Sequence, residues 1–211
     1  MPSDLRADPA TDEDVRLVAA ARAGDERAFT TLVERHYAAM LALARAYALP
    51  PAAAQEAVHG AFMTALAAGD EFDGSIPLRA WLLRFATRAA APLAPSDVGS
   101  DGAPDTTPAA VDRERFREPS DGFPGHWRAY PTDWRALPDE VLRGPETRRV
   151  VEGAVAALPI EQRTIITLRD VVGCPCREAC AVLDLPEDAV RRRLHRARST
   201  VRAALERHLD A

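Results

Sequence analysis

Residues 158–205 read LPIEQRTIITLRDVVGCPCREACAVLDLPEDAVRRRLHRARSTVRAAL, three helical patterns in close succession. This stretch constrains the fold more than any other. Ile165, Ile166 and Leu168 supply one apolar face before Gly173 breaks it. Residues 176–183 predict a second, short helix with Ala179, Val182 and Leu183 inward, and Cys180 beside them as a small hydrophobe. Asp184 and Leu185 make a turn. Pro186 suits the first turn of a third helix, whose positive N-terminal end favours Glu187 and Asp188. There Val190, Leu194, Ala197 and Val201 fall at spacings of 4, 3 and 4, one buried stripe.

The remaining surface of that third helix is basic. From Ala189 to Arg202 there are six arginines and no acid, in a chain of net charge −5. The net charge argues against a general nucleic-acid coat protein, and the local reversal suits one helix lying against a nucleic acid. In a helix-turn-helix the second helix of the pair enters the major groove, its N-terminal residues nearest the base edges. Arg191 and Arg192 are therefore the candidates for base contacts. Arg196 and Arg198 are those for phosphates, with Arg193 and His195 on the same helix.

These residues resemble region four of the sigma-70 family, in its extracytoplasmic-function class. The likeness lies in LP-x-x-QR, the leucine-arginine-aspartate step, the glycine, and the run Leu194-His195-Arg196-Ala197-Arg198. It implies recognition of the minus-thirty-five promoter element. Two departures are Asp184, where the family has glycine in the turn, and Cys174-Pro175-Cys176. Aspartate tolerates the left-handed conformation such a turn requires.

The first half predicts four amphipathic helices. Their apolar positions are Val15, Val18 and Ala19; then Ala28 through Ala44; then Ala57, Val58, Ala61, Phe62 and Leu66; then Trp81, Leu82, Phe85 and Ala86. Short connections make this a bundle. ARAGDERAFTTLVERHY and LRAWLLRFATR resemble the family's region two. The resemblance implies promoter melting by the tryptophan-bearing helix and minus-ten recognition in the loop before it. Opening a duplex requires aromatic stacking and a basic grip on single strands, for which Phe72, Arg79, Trp81, Arg84 and Arg88 are the candidates; Asp73 lies in the loop to which the resemblance assigns minus-ten recognition. The alternative for Trp81 is plain core. Docking on core RNA polymerase falls by resemblance to Glu56, His59 and Phe62. His59, Gly60, Leu66 and Arg88 depart from the family pattern.

The expected fold class is all-α: two small helical domains, residues 12–91 and 146–211, joined by a long flexible linker. A polar tail (1–11) precedes them. The linker, 92–145, is acidic and rich in Pro and Gly, and carries four aromatics within residues 123–134. Cys174, Cys176 and Cys180 cluster within seven residues. Their spacing lacks the second ligand pair of a zinc site, so they read first as structural, with a redox switch or a metal as alternatives. The chain holds no apolar run long enough to span a membrane and no basic-then-apolar leader, which predicts a cytoplasmic protein.

The function this predicts is a promoter-specificity subunit. Its expected partners are core RNA polymerase, promoter DNA and an anti-sigma factor, with no cofactor. The alternative is a stand-alone helix-turn-helix regulator that does not bind core polymerase. No nucleophile elbow, phosphate-binding glycine loop or carboxylate pair points to an enzyme.

Overall fold

The computed structural model describes residues 12–95 and 144–209, and among them every regular element is helical. The first half comprises α1 (Asp12–Arg22), α2 (Glu26–Ala46), α3 (Pro51–Ala67) and α4 (Leu78–Ala90). Gly24 at φ 94° turns the chain between α1 and α2. Asp25 then caps α2, its Oδ1 accepting from the amides of Arg27 at 2.9 Å and Ala28 at 3.2 Å. Pro51 opens α3 at its first turn, where the missing N–H costs nothing.

Leu32, Met40, Leu43, Val58, Leu82 and Leu83 are sealed inside this bundle. Small side chains at Ala54, Ala57, Ala61 and Ala65 on α3 leave room for close packing by its neighbours. In α1 Val18 and Ala21 are buried and Val15 packs against the core, whereas Ala19 faces solvent, so the expected stripe holds at Val15 and Val18 but continues through Ala21 instead of Ala19.

The second half comprises α5 (Pro145–Ala156), α6 (Ile160–Ile166), α7 (Cys176–Leu183) and α8 (Glu187–Leu209). Between α6 and α7 lies a π-helical segment, Thr167–Val171, that periodicity does not reveal. Gly173, at φ 75°, ends it. Asp184 adopts the left-handed conformation at φ 53° and ψ 47°, and its N–H is donated to the Cys180 carbonyl. That closes α7 and aims α8 away from it. Leu158, Ile165, Ile166, Leu194 and Ala197 form a core of their own.

The halves do not stand apart. Leu168, Cys174, Ala179, Val182 and Val190 of the second half join one continuous buried cluster with Leu43, Leu78, Leu82 and Phe85 of the first. The helix α7 lies against α4. The expected tail 1–11 and nearly all of the linker, including the aromatic stretch 123–134, fall outside the described residues. Linker residues 92 and 93 belong to a short 3-10 turn, Ala91–Leu93, that continues α4.

Candidate nucleic-acid interface

The helix α8 carries its arginines on the surface left by the Val190–Leu194–Ala197 stripe, with Arg193 at the edge of that stripe. Val190 and Ala197 are fully buried, so rotation of the helix is fixed and its outer face is defined. Arg191, Arg192, His195 and Arg198 are exposed, and Arg193 and Arg196 are half-buried. All six candidates therefore lie on one helix, with the first of them next to the turn.

Acids of the preceding turn hold the first two. Arg191 donates to Glu187, and Arg192 Nη1 donates to Asp188 Oδ2 at 2.5 Å. Both are (i, i+4) pairs in solvent, worth little for stability but sufficient to bias rotamers. The hydrogen bond from Arg192 holds the Asp188 carboxyl below the usual carboxylate range. Arg193 is shifted the other way from a surface arginine, lowered by burial and then by the neighbouring charge of Arg196.

Arg198 is gripped from outside the helix. Its Nε and Nη2 donate to Asp170 Oδ2 and Oδ1 at 2.9 and 2.5 Å. Asp170 sits in the π segment, whose wider turn carries it over to α8. The aspartate of the leucine-arginine-aspartate step thus has a visible task that sequence spacing alone did not assign. Arg169, beside it, donates to the Cys174 carbonyl and ties the segment to the loop before α7.

The second candidate cluster looks different in three dimensions. Trp81 is 7% exposed and Phe72 5%. Their ring centroids are 5.0 Å apart, and Phe85 stands edge-on to Trp81 at 4.9 Å. In this structure both aromatics are core, not an open stacking platform. Arg88 is exposed and lies over the Phe85 ring at 5.8 Å, while Arg84 is half-buried. Asp73 is exposed in the preceding loop, where its Oδ1 accepts from the Ser75 amide at 2.8 Å. Hydrogen bonds from Ser75 hold its carboxyl below the usual range.

Arg79 is engaged elsewhere. Its Nε and Nη2 both donate to Glu178 Oε2 on α7, at 3.2 and 2.8 Å. Burial works against its charge, but the hydrogen bonds to Glu178 raise it above the usual guanidinium range.

On α3, Glu56 and His59 are exposed on the outer face, whereas Phe62 is 3% exposed and edge-on to Phe29 at 6.4 Å. The exposed apolar residue there is Met63, at 53%. Its (i, i+4) spacing from His59 sets both on one exposed face of α3, a signal present in the sequence.

The cysteines sort by depth. Cys174 is fully buried, and burial pushes its thiol up to about 11. Cys180, expected in the core, is half-buried with Cys176 beside it; burial, then that neighbour, pushes it up to about 11. All three are free thiols. Among the described residues no group of three potential ligands is placed to hold a metal, and no helix is long and apolar enough to cross a membrane.

Residues 32–91 match the family model of Sigma-70 region 2, and residues 148–201 match that of Sigma-70, region 4. The sigma factor CnrH of Cupriavidus metallidurans is 30% identical over 203 residues, covering 92% of this chain and 95% of that one. The chain belongs to the extracytoplasmic-function class of sigma-70-family factors. The sigma-E factor of Escherichia coli K12, of the same class, is 29% identical over 187 residues, covering 88% and 90%. Among solved structures, that of CnrH in complex with the cytosolic domain of CnrY superposes with a TM-score of 0.56 at 29% identity, covering 94% of this sigma factor and 98% of CnrH. The α8 arginines and the Trp81 helix of this sigma factor thus lie in the two matched regions.

Proposed function

We propose that this sigma factor binds core RNA polymerase and directs it to promoters by contacting a minus-thirty-five element through α8 and a minus-ten element through the loop and helix around Asp73 to Arg88. The observation that carries the reading is that one chain holds both matched regions in order, the second ending in a basic helix fixed by a buried stripe. Two contacts on one chain favour each other, because the first raises the effective concentration of the second.

In this reading Arg191 and Arg192 meet base edges, and Arg193, His195, Arg196 and Arg198 meet the backbone nearby. Arg79, Arg84 and Arg88 grip the opened strand. Phe72 and Trp81 support that surface from within. Docking on polymerase falls to Glu56, His59 and Met63, with Phe62 holding α3 in place from the core side. The phosphodiester chemistry belongs to the polymerase, and this chain acts in the cytoplasm without catalysis of its own. The complex of CnrH with the cytosolic domain of CnrY supports a protein partner here as well, the expected anti-sigma factor.

The test is co-elution of the full chain with core RNA polymerase from a related bacterium. One-to-one co-elution is expected. A folded chain that elutes alone would favour the stand-alone regulator instead.

A further inference from the structure

Cys176 opens α7 and Cys180 follows one turn later, so both lie on one face of that helix. Both are half-buried, whereas Cys174 in the loop before them is sealed. The two thiols interact with each other, and Glu187 at the start of α8 acts on Cys180 through its charge. Arg191, one turn further along α8, reaches Cys176 as well as Glu187. The Cys180 carbonyl accepts from the amides of Asp184 and, at 3.2 Å, Leu185, which form the turn into α8. Two thiols, a carboxylate and a guanidinium assigned to base edges thus meet where α7 approaches α8.

The spacing decides what such a pair can take. Cβ atoms one helical turn apart stand about 5–6 Å from each other. A disulfide draws them to about 3.5–4.5 Å, which would unwind the first turn of α7. A structural zinc ion takes four ligands, and among the described residues no third donor joins the two thiols. Calcium and magnesium take oxygen ligands. A soft ion content with two sulfurs fits. Two metal–thiolate bonds of about 2.3 Å span up to about 4.6 Å between sulfurs, a gap that suits neighbouring turns of an intact helix.

We propose that Cys176 and Cys180 form a two-thiolate site for copper(I), and that loading it withdraws Arg191 from DNA. Loading forms two S–Cu bonds, breaks two S–H bonds and releases two protons, with no electron transferred. Two neutral thiols and a monocation become a site of net charge −1. Arg191 then lies between two anions, this site and Glu187, where the unloaded chain offers it one. A guanidinium held in that way is less available to a base edge. The action on DNA rests on the promoter-specificity reading; the ion site does not.

Anaerobic titration of the reduced full chain with the coloured copper(I)–bicinchoninate complex tests the site. Wild type and Cys174→Ala should each withdraw one equivalent of copper, and Cys176→Ser and Cys180→Ser should withdraw none. Loaded wild type should bind duplex minus-thirty-five DNA roughly ten-fold more weakly, the scale of one good base contact. Arg191→Ala should take up copper normally, bind that DNA more weakly from the outset, and show no further loss on loading.

A wild type that takes up no copper, or serine variants of native helicity that take up as much as wild type, would overturn the site. Should a serine variant lose helicity, alkylation of wild type decides. Protection of Cys176 and Cys180 by copper supports the site, and equal labelling with and without copper overturns it. Unchanged DNA affinity of the loaded wild type would overturn the action on Arg191. Failure of every form to bind promoter DNA or core polymerase would sink the promoter reading, while copper uptake would still decide the site.

Discussion

Arg198 on α8 lays its guanidinium along the carboxylate of Asp170, 28 positions earlier, through two parallel N–H···O bonds of 2.9 and 2.5 Å. The pair fixes where a cation stands on α8, yet both side chains remain open to solvent. Its role is therefore placement more than stability.

Arg198→Ala should weaken binding to duplex minus-thirty-five DNA and lower the slope of log affinity against log salt by about 0.9, one phosphate contact. Binding titrations from low to moderate salt measure this. An unchanged slope would put Arg198 off the DNA.

The turn residue Asp184 makes a sharper structural prediction, because its φ of 53° favours residues without a branched Cβ. Asp184→Gly should raise stability by about 0.5 kcal/mol, and Asp184→Val should lower it by about 1–2 kcal/mol. Urea unfolding reads both. A more stable valine variant would contradict the left-handed cap.

These two residues also mark how far the sequence reaches. The expected helix at residues 176–183 coincides with α7, and the turn at Asp184 is where expected, because both depend on neighbours in the chain. The buried stripe Val190–Leu194–Ala197 was legible for the same reason. What was not legible comes from partners far away in sequence. Glu178 looks like a surface acid until Arg79 arrives from 99 positions earlier. Phe72 looks like a loop aromatic until Trp81 covers it. Cys174, outside any helical period, is the deepest thiol, because the π segment and Arg169 draw its loop inward.

Depth gives Cys174 a pH signature. Its thiol rises from the ordinary 9.0 to about 11, so above pH 9 the unfolded chain loses that proton before the folded one does. Bound protons are then fewer in the unfolded state, and stability falls as pH rises from about 9 to about 11. The loss is on the order of 2 kcal/mol. Cys174→Ala should flatten that part of a denaturation-against-pH profile, and a profile as steep as wild type would refute the assignment.

Trp81 should behave as core. Trp81→Ala is expected to cost about 3–5 kcal/mol, and Trp81→Phe much less. Thermal unfolding separates this from a contact made only with DNA. In that case both variants would be as stable as wild type.

Met63→Glu changes an exposed side chain and should alter stability by no more than about 0.5 kcal/mol. If α3 docks on polymerase through Glu56, His59 and Met63, the variant should lose co-elution with core enzyme while remaining folded. Normal co-elution would move the docking face elsewhere.

The most direct measurement of the central claim is sequencing of transcript starts. Genomic DNA from the same bacterium would be transcribed by its core polymerase with and without this chain. A promoter-specificity subunit gives a discrete set of starts, absent with core alone and sharing two upstream motifs, one near minus ten and one near minus thirty-five. A folded chain that adds no start beyond those of core alone would contradict it.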